Sequence, residues 1–395
     1  MIRFVSNPRA SPPLATPSRS WKLPILTLLP PPSVAPMPPT RGGRPFSGMI
    51  SRVTPARRFR LLAVLVVVGV IAVLVATLAL PRDEPHTEIL KRLDWPALAF
   101  LVVSLASLEI ALKEAPDRGW ISIVVLGLFA VFILAGIGFV RITLARERPV
   151  VDLRLLADRN FAAGCALSFT LGMGLFGSTY LMPFFLAFVR GHSAFEIGKI
   201  MLVTGIVQML TAPVAVQLER RSEARILTAV GFAIFATGLA MSYHETRETD
   251  FDQMFWPQVV RGAAIMLCLL PPTRLALAHL AADKVGDGSG LFNLMRNLGG
   301  AIGLALIDTV VFSRGPDYAD QIMDKVKAHD PATASLLGMS VDELPDPGDP
   351  MGFMSISGDI EQLSVTSAIN DAWAMLAAIT VVGLLSLLFA RREKR

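Results

Sequence analysis

The stretch WISIVVLGLFAVFILAGIGFV, residues 120–140, runs for 21 positions without a charged residue. Coiled as an α-helix it reaches about 31 Å, the thickness of the hydrocarbon core of a bilayer. Helix is the state open to it, because an unclosed strand in lipid leaves its backbone polar groups without partners. Similar runs lie near 61–80, 95–112, 161–189, 196–218, 225–243, 255–280, 288–312 and 370–390. Nine spans are expected, and the fold class is an all-α polytopic membrane protein. In the pair of runs between 161 and 218, separated by the turn RGHSAFE, Pro183 and Pro213 are tolerable inside a bundle.

The whole chain agrees with that reading. Of its 395 residues 53% are hydrophobic and 17% charged, with a mean hydropathy of +0.54, too apolar for a soluble protein with an ordinary charged surface. The net charge of +5 does not point to nucleic acid, since the basic residues lie between apolar runs rather than on aromatic-interleaved stripes. Cys165 and Cys268 each sit inside an apolar run, so neither a disulfide framework nor a zinc site is indicated, and no metal or cofactor is expected.

Residues 1–60 differ in kind. They hold 13 of the 28 prolines, ten Lys or Arg and no acidic residue. This composition predicts a disordered Pro/Arg-rich leader. It resembles a transit peptide, but prolines such as Pro30, Pro31 and Pro32 break the amphipathic helix such a peptide needs.

Lys and Arg counts orient the spans. With the C-terminus inside, the segments 81–94, 141–160, 219–225, 281–287 and 391–395 hold 16 basic residues in 53 positions, and the opposite loops hold 7 in 81. Positively charged flanks stay cytoplasmic, so the tail RREKR is expected inside. The loop 313–369, with ten acidic and three basic residues, is then expected outside. Nine spans send Arg57, Arg58 and Arg60 outside as well, against the same rule. Either the run 61–80 does not cross, or it follows further helices that set its direction.

Several strings, in order, carry a resemblance. RLDWPALAF and DRGWIS come first. ERPVVDLRLLADRNFAAGC follows, with Pro149, Asp152, Leu153, Leu155, Leu156, Arg159, Asn160 and Phe161. WPQVVRGAAIMLCLLPPTRLAL and GSGLFNLMRNLGGAIGLAL come last, with Gly290, Asn293, Arg296, Gly299, Gly300 and Gly303 in register. Together they resemble the fourteen-helix drug:proton antiporters of the major facilitator superfamily, the EmrB/QacA type, over about residues 61–395. The resemblance implies that the nine spans match the family's sixth to fourteenth. On it, 61–80 is the last helix of an N-terminal half, 81–160 holds two linker helices and a cytoplasmic loop, and 161–395 forms a six-helix transport bundle with its external loop at 313–369. The family's first five helices, their loop motif, antiporter motif and N-terminal acidic residues have no counterpart. Residues 1–60 are then expected to be a leader unrelated to the transporter.

Four basic residues fall within the spans: Lys199, Arg261, Arg274 and Arg296. A charge at the bilayer centre costs about 2.5–3.5 kcal/mol on insertion scales, so such residues face protein or water. Lys199 is near enough to an end to snorkel. Arg274 follows Pro271 and Pro272, and gating, structural and snorkelling roles are open for it. Arg261 and Arg296 lie deeper. Each can hold an anionic substrate group or pair with a titrating carboxylate, or make a static bond to backbone carbonyls. Gln208, Asn293 and Asn297 are neutral polar candidates for the same pathway. Among carboxylates, Glu109 and Asp308 lie near outer ends, and neither makes a convincing proton carrier. Gly299 and Gly303 have small-xxx-small spacing, which suits close packing and also sliding helices. QLERRSEAR, with Glu219, Arg220, Arg221 and Arg225, resembles a degenerate copy of the superfamily's cytoplasmic loop motif, and ordinary positive-inside residues explain it equally.

Other functions find less support. The histidines, His86, His192, His244, His279 and His329, form no cluster of the kind an intramembrane enzyme needs. No GxxxxGK[ST] phosphate loop is present, and no filter-like segment marks a channel. The expectation is proton-coupled efflux of drugs or other amphiphilic small molecules from a bacterial inner membrane. Its partners are then the lipid bilayer, the small amphiphilic substrate, protons, and a second half-transporter or a periplasmic adaptor. The rival is a truncated, non-transporting fragment, or a half-transporter that needs its partner.

Overall fold

The computed structural model describes residues 94–146 and 151–390, together with scattered helical positions between 66 and 78. Residues 1–60 and the tail 391–395 lie outside the described residues, as does half of the expected span 61–80. Nine helices follow in order within 94–390: α1 Trp95–Arg118, α2 Ile123–Ala145, α3 Arg159–Phe188, α4 Ala194–Arg221, α5 Ala224–Ala240, α6 Phe251–Leu277, α7 Val285–Lys327, α8 Pro331–Leu337 and α9 Pro350–Leu384. All but α8 belong to segments long and apolar enough to cross a membrane, making eight candidate spans among the described residues.

The first four helices start where a short polar side chain meets an apolar run. Asp94, Ser122, Asp158 and Ser193 accept hydrogen bonds from the first free amides of α1, α2, α3 and α4. Asp94 also accepts from Arg146 Nε at 3.1 Å, tying the start of α1 to the end of α2. Leu108 and Leu112 of α1 pack with Phe129 and Phe132 of α2 against Leu298, Ile302 and Ala305 of α7, so the first two helices lean on α7.

Helices α3–α7 and α9 form the main core around the fully buried Trp373, Phe185, Phe232 and Phe235. Its closest approach is the crossing of α3 and α7. A methyl group at Gly172 would sit 2.0 Å from the Arg296 carbonyl oxygen, and one at Gly299 would sit 2.0 Å from that of Phe169. Backbone rests on backbone here, as small residues allow in helices that lack a hydrophobic drive to associate. The Ser168 hydroxyl donates to the Phe292 carbonyl at 3.0 Å, and the Tyr180 hydroxyl donates to Asp308 at 2.8 Å farther along the same interface.

The stretch 151–161 locks α2 to this bundle. Asp152 caps the short turn Leu153–Ala157 and pairs with Lys284 at 3.1 Å, while Arg154 donates to the Leu144 carbonyl at 2.9 Å. Leu155 and Phe161 are buried with Cys165, Ala276, Leu291 and Phe292.

One expectation is corrected. Residues 313–369 are not a loop. Helix α7 continues to Lys327 and α9 begins at Pro350, and the connection between them contains α8. At 43 and 35 residues, α7 and α9 reach about 65 and 52 Å, well past the hydrocarbon core. Ile322 and Val326 of α7 meet Ala334 and Leu337 of α8 and Phe353, Ile356 and Ile360 of α9 in a small core of their own. Those residues recur at helical spacing inside a polar, acidic sequence, which is why the mean composition reads as loop.

Gly299→Ala should lower stability by about 1–3 kcal/mol by forcing α3 and α7 apart, whereas Gly290→Ala, with open space around its Cβ, should not. Thermal unfolding in detergent compares them; equal midpoints would mean that the crossing tolerates the added carbon.

Candidate functional site

The turn between α5 and α6 carries the densest buried polar group. Asp250 begins α6: it accepts from the Phe251 amide at 2.8 Å, and Gln253 accepts from the Asp250 amide at 3.0 Å. The Asp250 carboxylate also takes Arg190 at 2.9 Å and His192 at 3.0 Å from the end of α3. Partial burial works against its charge, but the bonds from Arg190, the Phe251 amide and His192 outweigh it and hold this carboxyl below the usual range.

Five residues earlier, Glu245 points inward. Its backbone is gripped by Asn370 of α9, which accepts from the Glu245 amide at 3.1 Å and donates to its carbonyl at 2.8 Å. The side chain is 7% exposed, and Oε2 is buried without a hydrogen-bond partner. Burial pushes the carboxyl up to about 8, against the opposing pull of Arg261 and of the Trp373 indole.

Arg261, on α6, is 4% exposed. Its guanidinium lies 4.6 Å from the centre of the Trp373 ring, and Nη2 reaches the Met182 sulfur at 3.8 Å. Gly238 of α5 makes room for it: a methyl there would meet Arg261 Cγ at 2.6 Å. Gln258, one turn earlier and fully buried, accepts from Thr204 of α4 at 3.0 Å. Arg261 Nη1 and Gln258 Nε2 are buried donors without a partner, and Trp373 Nε1 is buried beside Glu245 without a hydrogen bond of ordinary geometry. Such groups cost about 1–3 kcal/mol each when desolvated, and their concentration in one place makes this the candidate site. A cavity of about 180 Å³ borders the group, lined by Glu245, His244, Thr246, Gln253 and Met254 among others.

The remaining sequence candidates lie elsewhere. Arg296 is half-buried on α7, 5.4 Å from the Phe292 ring centre, with Nε buried and unpartnered. Asn293 is exposed and donates to the Ser289 carbonyl at 3.0 Å; Asn297 is exposed and Gln208 half-buried. Among the described residues, no hydrogen bond, ion pair or ring contact joins Arg261 to Arg296, Gln208, Asn293 or Asn297. Arg274 donates to the Glu219 carbonyl at 2.7 Å, holding the end of α4. Pro271 and Pro272 are buried within a continuous α6, and Gly299 and Gly303 sit in the α3–α7 crossing. Of the loop group, Arg220 and Arg221 are exposed, and Glu219 and Arg225 are half-buried.

Sequence reasoning missed Glu245, Gln258 and Trp373. Glu245 falls at the second position beyond the apolar run that ends at 243, where a carboxylate reads as a solvated loop residue. Its burial depends on Asn370, 125 residues away, and no local pattern announces that.

A profile of the Major Facilitator Superfamily matches residues 43–304. The chain is 31% identical over 317 residues to the colistin resistance protein EmrB of Acinetobacter baumannii, covering 79% of this chain and 62% of that protein. It is 29% identical over 266 residues to the multidrug export protein EmrB of Escherichia coli, covering 67% and 52%. With the fatty acid resistance protein FarB of Neisseria gonorrhoeae it shares 26% over 221 residues, 55% and 43% of the two chains. The chain thus spans less than two thirds of the length of these relatives. The profile match over most of the chain, the EmrB relatives and the eight candidate spans lead to one statement: this chain belongs to the Major Facilitator Superfamily, within its EmrB/QacA-type family.

Proposed function

We propose that this chain serves proton-coupled efflux of drugs or other amphiphilic small molecules across a bacterial inner membrane, with its C-terminus in the cytoplasm. The observation that carries the reading is the likeness to EmrB exporters, whose names state multidrug export and colistin resistance. The faces of α4 and α7 support it. They leave Arg296, Asn293, Asn297 and Gln208 outside the packed core, where a transported molecule can meet them. Alternating access needs a second bundle for this one to rock against. A second reading follows: the chain acts as one half that pairs with another. The row Leu202, Ile206, Met209 and Leu210, exposed on α4, favours it, being apolar on the same helix as Gln208.

Expression of the full chain in an efflux-deficient bacterium should lower ethidium accumulation, and a protonophore should abolish the effect. Accumulation equal to that of the empty vector would refute autonomous export. Mass measurement of the purified protein then decides the second reading, which requires a defined dimer. Arg296→Ala should reduce export on the order of tenfold, the equivalent of about 1.4 kcal/mol for one charge-assisted contact. If Arg296→Lys exports as well as the unmodified chain, a static backbone contact explains the residue better.

The orientation has its own measurement. Cys165 and Cys268 are buried, so an added cysteine can be labelled selectively. Asp342→Cys should react with an impermeant maleimide on intact cells, and Arg221→Cys only after permeabilisation. The reverse pattern would invert the topology.

A further inference from the structure

Glu245 and Arg261 attract each other across the buried site but are not joined as a structural ion pair would be. Nη1 of one and Oε2 of the other are both without a hydrogen bond. A buried pair kept for stability is usually satisfied by direct bonds, since its desolvation is otherwise unrepaid. This one is left open, and Glu245 is among the residues that line the cavity.

The surroundings bring little other charge to it. Helix α9 contributes the neutral Trp373 and Asn370, α3 contributes Met182, and α6 contributes Arg261 and Gln253. The turn adds His244, beside Glu245 on the cavity wall. Neighbouring charges are engaged elsewhere: Arg247 with Asp359 and Gln362 of α9, and Arg190 and His192 with Asp250.

We propose that Glu245 is a proton-binding site of this bundle, loaded from water in the adjoining cavity and held in charge balance by Arg261. The proposal rests on the transport reading for its purpose but not for its chemistry. A hydronium ion in the cavity gives its proton to the Glu245 carboxylate, leaving water and a neutral carboxylic acid. The guanidinium stays protonated, so the buried pair passes from net zero to +1. Arg261 then has the Trp373 face and the Met182 sulfur as partners, both weaker than a carboxylate. Loading and unloading thereby change the electrostatic cost of the core where α3, α5, α6 and α9 meet. Burial, which lifts Glu245 to about 8, puts the exchange close to neutral pH.

The test uses the purified full chain with Trp21, Trp95, Trp120 and Trp256 changed to Phe, so that fluorescence reports on Trp373 alone. Emission should change with a midpoint near pH 8 and stay flat in Glu245→Gln. Arg261→Gln should move the midpoint upward by about 1–3 units, because a favourable opposite charge is lost. A flat titration of the unmodified site, or a transition that survives Glu245→Gln, overturns the proposal.

Two readouts do not depend on the fluorescence. Infrared difference spectra of the unmutated chain should show a protonated-carboxyl band disappearing at the same midpoint, and its absence refutes the site even if the variants fold poorly. Stability supplies the other. The folded value lies above the ordinary 4.5, so the stability linked to Glu245 is complete below pH 4.5 and is lost as pH rises through about 8. The melting temperature of Glu245→Gln should lack that decline. A chain that titrates at Glu245 yet exports nothing leaves the proton site standing and sinks the transport reading; proton-driven export with a silent Glu245 does the reverse.

Discussion

Contact of backbone with backbone between α3 and α7 sets the geometry on which the other helices are arranged. In lipid, helices gain nothing by hiding apolar side chains from one another, so association depends on close fit and on the few polar groups that find partners. Gly172 and Gly299 supply the fit from both sides, and Ser168 and Tyr180 supply the bonds. With that interface fixed, α9 lies against both helices through Ile369, Trp373 and Leu376, and α6 settles against α3 and α5. The position of Arg261 over the Trp373 ring is therefore a consequence of how the large helices cross.

A second constraint operates at the opposite end from the Glu245 turn. The DLRLLADRNF segment makes a capped turn, an ion pair to Lys284 and a buried anchor at Leu155. Its polar residues satisfy backbone groups and one another, and its leucines fill the space below Phe161 and Phe292. The string that most clearly marks the family is thus the joint between the first two helices and the bundle.

The spans were legible because lipid imposes a uniform demand: about twenty apolar residues at a time, whatever lies next to them. The burial of Arg261 followed from its depth in such a run. What was hidden is whatever depends on distant partners. Helices α7 and α9 continue as a polar pair because α8 completes a small apolar core between them, and no single segment of 313–369 contains that core. Glu245 looked like a surface carboxylate for the same reason. Gln208, Asn293 and Asn297 share spans with buried residues, yet they are exposed or half-buried and make no polar contact with the group around Arg261, since composition gives the depth of a residue but not its azimuth.

The two hydrogen bonds between the Asn370 side chain and the Glu245 backbone have one more effect. Because α9 holds the backbone of the turn from both sides, the turn cannot drift independently of that helix. Any sliding of α9 along α6 must carry the carboxylate with it and change its separation from Arg261. Helix position and carboxyl affinity for a proton are then coupled variables, and the coupling is reciprocal: whatever displaces the helix alters the affinity, and protonation pushes back on the helix by the same free energy. A single asparagine in this way ties a surface turn to the core.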